Sequence, residues 1–142
     1  MKYLNKLFTK IVKKIFSPEF LKFNIVGGIG VVVNMVSYIV LNDWLAIHYM
    51  LAGALSTEIS IINNFLLNDL WTFRSRSRKN SMLIRAGLFH ASRIFGMVVT
   101  LATLYLLVDI FNMNDLVAYL IAIGLGVLVN FYTSDVYVWS GK

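Results

Sequence analysis

Two ionisable residues, Glu58 and Arg93, lie deep inside long hydrophobic stretches of this 142-residue chain. A lone charge at the centre of a bilayer costs roughly 2.5 to 3.5 kcal/mol on insertion scales, so each residue should have a partner or a function. At ~1.5 Å per residue from the nearest span end, both side chains lie at a depth of about 12 to 14 Å. The sequence therefore predicts that the two charges meet near the midplane. They could form only an interhelical lock, or the guanidinium could bind a phosphate.

Asparagines add neutral donors and acceptors to the same stretches. They are Asn34, Asn63, Asn64, Asn68 and Asn130. Asn64 and Asn68 share a helix face, because residues four apart lie about one turn apart. Such amides suit hydroxyl-rich ligands, but amides in membrane helices also hydrogen-bond neighbouring helices, so both interpretations stay open.

The chain offers little for catalysis or metal binding. It has no cysteine and only two histidines, which excludes disulfides, thiolate metal sites and a cysteine nucleophile. It also has no phosphate-cradling glycine loop, no paired carboxylates in one pocket and no nucleophile with a recognisable base. We therefore expect that the protein is not an enzyme and that it has no catalytic residue, no metal ligand and no cofactor.

Four hydrophobic stretches must position these polar residues, at 20–42, 49–70, 84–108 and 116–137. Each is close to the roughly 20 residues that an α-helix needs to cross hydrocarbon. Because 58% of the residues are hydrophobic and only 14% are charged, a water-soluble core of this size could not bury them. The sequence predicts an all-α membrane protein with four transmembrane helices.

Basic residues are concentrated beside the first span, the middle loop and the C-terminus. They are Lys2, Lys6, Lys10, Lys13, Lys14, Lys22, Arg74, Arg76, Arg78, Lys79, Arg85 and Lys142. The hairpin tips at 42–49 and 109–115 contain no Lys or Arg. The positive-inside tendency then predicts a multi-pass protein of the cell membrane, with both termini and the basic loop 74–82 in the cytoplasm. Since these basic residues flank spans, we expect no nucleic-acid partner.

Residues 1–17 predict a separate amphipathic helix in the inner membrane interface. Its apolar residues recur at helical spacing, with lysines on the other side. They are Leu4, Leu7, Phe8, Ile11, Val12, Ile15 and Phe16. A plain cytoplasmic extension is the alternative. Ser17 and Pro18 favour a cap and a first-turn proline for the first span.

Aromatic residues and glycines have structural interpretations. Six aromatic residues near span ends predict an interfacial belt. They are Trp44, Tyr49, Trp71, Tyr132, Tyr137 and Trp139. The glycines at 27, 28, 30, 124 and 126 favour close helix contacts, either within one chain or between copies in a homo-oligomer.

Comparing the chain with itself at an offset of 66 residues predicts two hairpin repeats, 18–73 and 83–142, joined by the basic loop 74–82. The identical pairs include Phe23 with Phe89, Gly30 with Gly96, Asn64 with Asn130, and Asp69 with Asp135. Each repeat has two spans, so the repeats should be parallel and related by an axis along the membrane normal. Arg93 corresponds to Gly27 and Glu58 corresponds to Gly124, which predicts a small polar cavity around the charges.

The chain resembles the GtrA-like membrane proteins, which also form the membrane portion of some dolichyl-phosphate mannose synthases. The resemblance covers nearly everything after Pro18. It is carried by Phe20–Gly28, Asn34, Ala52, Glu58, Asn64–Asn68, Trp71–Phe73, Asn130–Phe131 and Val138–Trp139. Asp69 departs from the family, which often has a basic residue there. The resemblance implies cell-surface polysaccharide synthesis, with movement of polyprenyl-phosphate-linked monosaccharides from the inner to the outer leaflet.

Three functional classes follow. The first is a translocator of this lipid-linked sugar, whose substrate-binding residues are Arg93, Glu58, Asn34, Asn64, Asn68 and Asn130. In it, Arg93 contacts the phosphate and Glu58 positions Arg93 or a sugar hydroxyl. The second is a noncatalytic membrane subunit that anchors or stabilises a glycosyltransferase encoded as a separate chain. The third is a four-span cation exporter, which is least favoured because its glutamate should be free of a buried arginine.

Overall fold

The computed structural model describes residues 8–9, 12–76 and 78–140. Within these residues, four helices are long and apolar enough to cross a membrane. They span Pro18–Trp44, Tyr49–Thr72, Met82–Ile110 and Asp115–Val138. We label their α-helical parts α1 (Pro18–Ile39), α2 (Tyr49–Leu67), α3 (Met82–Tyr105) and α4 (Asp115–Thr133). The prediction of an all-α membrane protein with four spans is confirmed.

A π-helical turn ends each of the four spans. These turns are Val40–Trp44, Asn68–Thr72, Leu106–Ile110 and Ser134–Val138. After each turn a backbone N–H donates to the carbonyl five residues back, as from Phe73 to Asn68 at 2.8 Å and from Trp139 to Ser134 at 3.0 Å. The wide turns thereby satisfy carbonyl groups that an α-helix leaves open at its C-terminus, which matters more in a bilayer than in water.

Side-chain caps mark where the spans begin. Ser17 accepts a hydrogen bond from the backbone of Phe20 at 3.2 Å, and Pro18 occupies the first turn of α1, as the sequence predicted. Asn114 caps α4 by accepting from two backbone N–H groups, at 3.1 and 3.3 Å. Both hairpin tips reverse direction through one left-handed residue, Ala46 at φ 52° and Asn112 at φ 51°.

Part of the predicted surface helix at 1–17 is described. Residues 8–9 and 12–15 are helical, and residues 1–7, 10 and 11 of that prediction lie outside the described residues. Its position in the membrane interface remains a prediction. The middle loop is described except for residue 77, and α3 begins at Met82.

The chain divides into two units, which we call unit 1 (Met1–Ser75) and unit 2 (Arg76–Lys142). Unit 1 packs α1 against α2, and unit 2 packs α3 against α4. The α2 face buried in unit 1 carries Ala52, Ser56, Ser60 and Asn64. The α4 face buried in unit 2 carries Ala118, Ala122 and Gly126 at the same four-residue spacing. Small residues at this spacing let two backbones approach closely in a membrane.

An edge-to-face aromatic pair closes one end of each unit. The ring centroids of Phe23 and Phe73 are 6.4 Å apart in unit 1, and those of Phe89 and Trp139 are 5.7 Å apart in unit 2. Trp139 follows the last turn of the fourth span, and its side chain is only 1% exposed and belongs to the core of unit 2. Its predicted position in the membrane interface stays a prediction. Both partners of the second pair follow those of the first by 66 residues. The division into hairpin repeats itself stays a prediction.

Candidate functional site

A groove opens between α1 and α2, near the middle of both spans in unit 1. Its volume is about 230 Å³. It is lined by Gly27, Gly30, Val31, Asn34, Met35, Ser60 and Asn64. Three of these side chains are polar, although the surrounding segments are long and apolar enough to cross a bilayer. Polar groups at this depth need partners from protein or ligand, so the groove is the candidate site.

Gly30 makes the close approach of α2 possible. A Cβ atom at this position would overlap the carboxamide of Asn64, with its carbon Cγ only 2.7 Å away. Ser60 donates a hydrogen bond from its hydroxyl to the Gly30 carbonyl at 2.7 Å, which ties the two helices together at the same point. The absence of a side chain at residue 30 therefore sets where Asn64 lies in the groove.

Asn64 is buried but incompletely bonded. Its side chain is 8% exposed, and its Oδ1 has no hydrogen-bond partner among the described residues. Leaving a buried acceptor unsatisfied costs about 1 to 3 kcal/mol, so this oxygen is a strong candidate for a ligand contact. Across the groove, Asn34 donates from Nδ2 to the Thr57 hydroxyl at 3.3 Å. Two of the predicted binding residues, Asn34 and Asn64, thus line one groove.

The other two predicted asparagines lie elsewhere. Asn68 is fully buried and donates from Nδ2 to the Asn64 carbonyl at 2.8 Å, so it stabilises the end of α2 and does not line the groove. Asn130 belongs to unit 2, where a Cβ on Gly96 would overlap its carboxamide. Its Oδ1 is also buried without a hydrogen-bond partner among the described residues.

Glu58 and Arg93 belong to different units. Glu58 is exposed on α2, whereas Ser56 and Ser60, two residues to either side, are buried. At ~100° per residue, the Glu58 side chain projects about 160° away from both serines around the helix axis. It therefore does not line the groove of unit 1. Arg93 is on α3, with its Cζ 4.6 Å from the centroid of the Phe89 ring, close enough for a cation–π interaction. The predicted meeting of Glu58 with Arg93 stays a prediction.

Sequence analysis missed several residues that shape these sites. Ser60 could have been found, since it shares one helix face with Asn64. A close helix contact was predicted for Gly30, but not that Asn64 is the side chain it accommodates. An ion pair was also missed: Arg76 contacts the Asp135 carboxylate at 2.6 Å and fixes the middle loop to the end of α4. In the described ranges, no group of three or more His, Cys, Asp or Glu side chains could hold a metal ion.

Four helices that are long and apolar enough to cross a bilayer, with buried amides at Asn64 and Asn68 on the second of them, define a small multi-pass membrane protein. The chain belongs to the family described as GtrA/DPMS, transmembrane domain, whose sequence model matches residues 22–139. The resemblance seen in the sequence is thus confirmed.

Two curated relatives are similar to this chain. A protein named dolichol-phosphate mannosyltransferase from Pyrococcus furiosus is 33% identical over 119 residues, which cover 84% of this chain and 33% of that protein. The uncharacterized membrane protein YwcD of Bacillus subtilis is 24% identical over 111 residues, covering 78% of this chain and 87% of that protein. The chain therefore spans about a third of the archaeal relative and most of the bacterial one.

Proposed function

We propose that the protein translocates a polyprenyl-phosphate-linked monosaccharide across the cytoplasmic membrane for cell-surface polysaccharide or glycoconjugate synthesis. The observation that carries this proposal is the groove of unit 1, where Asn34 and Asn64 offer hydrogen bonds at mid-membrane. A sugar crossing hydrocarbon needs such partners, whereas its prenyl chain can stay in the lipid. The family and the name of the archaeal relative support a polyprenyl-phosphate sugar as the substrate.

Arg93 is the residue we propose for the phosphate. It is a half-buried guanidinium on a membrane-spanning helix, and guanidinium groups bind phosphate oxygens through paired N–H donors. The Phe89 ring lies 4.6 Å from the Arg93 Cζ and helps to hold the guanidinium in unit 2. Glu58 would position Arg93 or accept from a sugar hydroxyl, as the sequence predicted.

The remaining features of the proposal come from charge and chemistry. The positive-inside tendency puts both termini and the basic middle loop in the cytoplasm of the producing cell. The protein itself would be noncatalytic, so the lipid-linked sugar would come from a glycosyltransferase in a separate chain. The substrate would then enter from the inner leaflet and leave from the outer leaflet.

Reconstitution into liposomes tests this function. A polyprenyl-phosphate hexose with a radiolabelled sugar is placed in one leaflet, and its appearance in the other is measured by periodate oxidation. We expect Arg93→Gln to slow this movement about tenfold or more, since a charge-assisted phosphate contact is worth about 1.5 to 3 kcal/mol. Arg74→Gln is the matched control, because Arg74 is exposed in the middle loop. Equal rates for the native chain and Arg93→Gln would contradict the proposed role of this arginine.

A noncatalytic anchor for a glycosyltransferase is the second candidate. It is favoured by the middle loop, where Arg74, Arg78 and Lys79 are exposed and the Arg76–Asp135 ion pair fixes the chain beside them. Deletion of the gene separates the two candidates. Loss of glycosyltransferase from the membrane fraction, without any transport by the purified protein in liposomes, would establish the anchor and overturn the translocator.

A further inference from the structure

We propose that the groove of unit 1 binds the sugar and not the phosphate, and that it selects an uncharged sugar over an acidic one. This inference rests on the proposed function, which supplies the lipid-linked sugar as the ligand. It adds the substrate class and assigns Gly27, Gly30, Asn34, Ser60 and Asn64 to its recognition.

Among the residues that the structure describes, none that lines the groove is a Lys, Arg, Asp or Glu. An anionic group in this part of the membrane would therefore find no cation on the groove wall to offset its loss of water. Transferring an uncompensated carboxylate or phosphate out of water is far more costly than transferring a hydroxyl that gains a hydrogen bond. The electrostatics of the groove favour a neutral ligand.

The polar atoms of the groove also favour hydroxyl groups. The Asn64 Oδ1 is a buried acceptor with no partner in the described part of the chain. The Ser60 hydroxyl already donates its hydrogen to the Gly30 carbonyl, so its oxygen can only accept from a ligand. Sugar hydroxyls can donate to both atoms, whereas an ionised phosphate or carboxylate has no hydrogen to donate.

The groove has the size of one small headgroup. Its volume of about 230 Å³ is several times the ~30 Å³ that one water occupies in the liquid. On its wall, a Cβ added to Gly27 would meet nothing within 4 Å, so this residue leaves open space. A monosaccharide is a more suitable occupant of this space than a long prenyl chain, because its hydroxyls also satisfy the amides.

Gly27 and Gly30 control the groove in different ways. A side chain at Gly30 would displace the Asn64 carboxamide, whereas one at Gly27 would fill the open space without touching neighbouring atoms at its Cβ. Gly28 is a matched control on the same helix, since its added Cβ also meets nothing within 4 Å and it does not line the groove.

The test measures binding to the purified full-length chain in detergent. Three synthetic probes are compared by isothermal titration calorimetry: citronellyl phosphate, citronellyl phosphoryl hexose and citronellyl phosphoryl hexuronic acid. We expect the hexose probe to bind about tenfold tighter than the other two, the effect of roughly one well-made buried hydrogen bond. Gly27→Leu should abolish this preference, and Gly28→Ala should keep it.

Asn64→Ala gives a second, independent measurement, because it removes the acceptor without adding bulk to the groove. It should weaken the hexose probe about fivefold or more and leave citronellyl phosphate unchanged. Gly30→Ala is avoided as the main test, because its overlap with Asn64 can prevent folding.

Equal affinities for the hexose and sugar-free probes in the native chain would overturn the inference, as would tighter binding of the hexuronic acid. Retention of the hexose preference in Gly27→Leu, in a protein with native thermal stability, would also overturn the assigned location. None of these outcomes depends on transport. Failure of movement in liposomes with the hexose preference intact would instead remove the translocator and leave the sugar site standing.

Discussion

The two units differ in the side chain that donates a hydrogen bond to a glycine carbonyl at the point where their two helices cross. In unit 1 the Gly30 carbonyl accepts from Ser60 of the facing helix at 2.7 Å. In unit 2 the corresponding Gly96 carbonyl accepts from Thr100 of its own helix at 2.9 Å. Gly126 stands where Ser60 stands in unit 1, and an added Cβ there would overlap the Thr100 hydroxyl.

This difference shows how two similar hairpins can acquire different chemistry. In unit 1 the Ser60 hydroxyl joins the two helices. Asn34, which corresponds to Thr100 of unit 2, is therefore available to hydrogen-bond to Thr57 and to line the groove. In unit 2 the Thr100 side chain fills the space where α3 and α4 cross. Arg93 of unit 2 corresponds to Gly27 of unit 1. Unit 1 thus offers neutral amides beside open space, whereas unit 2 offers a cation, which suits a sugar and a phosphate respectively.

The largest effect is expected from forcing unit 2 to adopt the arrangement of unit 1. Gly126→Ser should lower the free energy of unfolding by about 2 to 3 kcal/mol, because its Cβ overlaps Thr100 and breaks the bond to Gly96. The measurement is the thermal unfolding midpoint in detergent. Gly124→Ser is the control, since nothing lies within 4 Å of an added Cβ there.

Adding Thr100→Asn to Gly126→Ser should recover part of that loss. The introduced serine hydroxyl can then donate to the Gly96 carbonyl, as Ser60 donates to Gly30. A midpoint for Gly126→Ser equal to that of the native chain would show that the crossing in unit 2 has room to spare, and the contrast between the units would fail.

A smaller effect is expected where the middle loop meets unit 2. Arg76→Ala removes the ion-pair partner of Asp135, whose side chain is only 3% exposed. Because Arg76 is itself 32% exposed, solvent screens the pair, and we expect a loss of about 1 to 2 kcal/mol. Arg74→Ala should change little, and Asp135→Asn should restore part of the stability of Arg76→Ala. Equal midpoints for Arg74→Ala and Arg76→Ala would contradict a stabilising ion pair.

The smallest effect compares the hairpin tips. Ala46→Gly should raise the free energy of unfolding by about 0.5 to 1 kcal/mol, because an alanine at φ 52° is strained and a glycine is not. Asn112→Gly should gain less, since asparagine tolerates the left-handed region better. Chemical denaturation of both variants in mixed micelles checks this order. A larger gain at Asn112 would reverse it.

Sequence reasoning succeeded where one residue property decides the outcome. Hydropathy located four spans, and two of the predicted binding residues, Asn34 and Asn64, line the groove of unit 1, although the cavity was predicted around Glu58 and Arg93. It could not reveal the π-helical turns, because hydrophobic periodicity does not register bonds between residues five apart. Nor could it find the Arg76–Asp135 pair, whose partners are 59 residues apart and meet only through packing. Counting residues from the span ends predicted how deep in the membrane Glu58 lies, but it could not predict which face of α2 carries its side chain.

The burial of Trp139 gives the protein an internal optical reporter. Of its three tryptophans, Trp44 is 77% exposed, Trp71 is 42% exposed and Trp139 is 1% exposed against Phe89. Replacing the first two with phenylalanine would leave one fluorophore, sealed from aqueous quenchers such as iodide. Its emission should redden when Trp139 separates from Phe89 of α3, so the integrity of this end of unit 2 can be followed without any attached label.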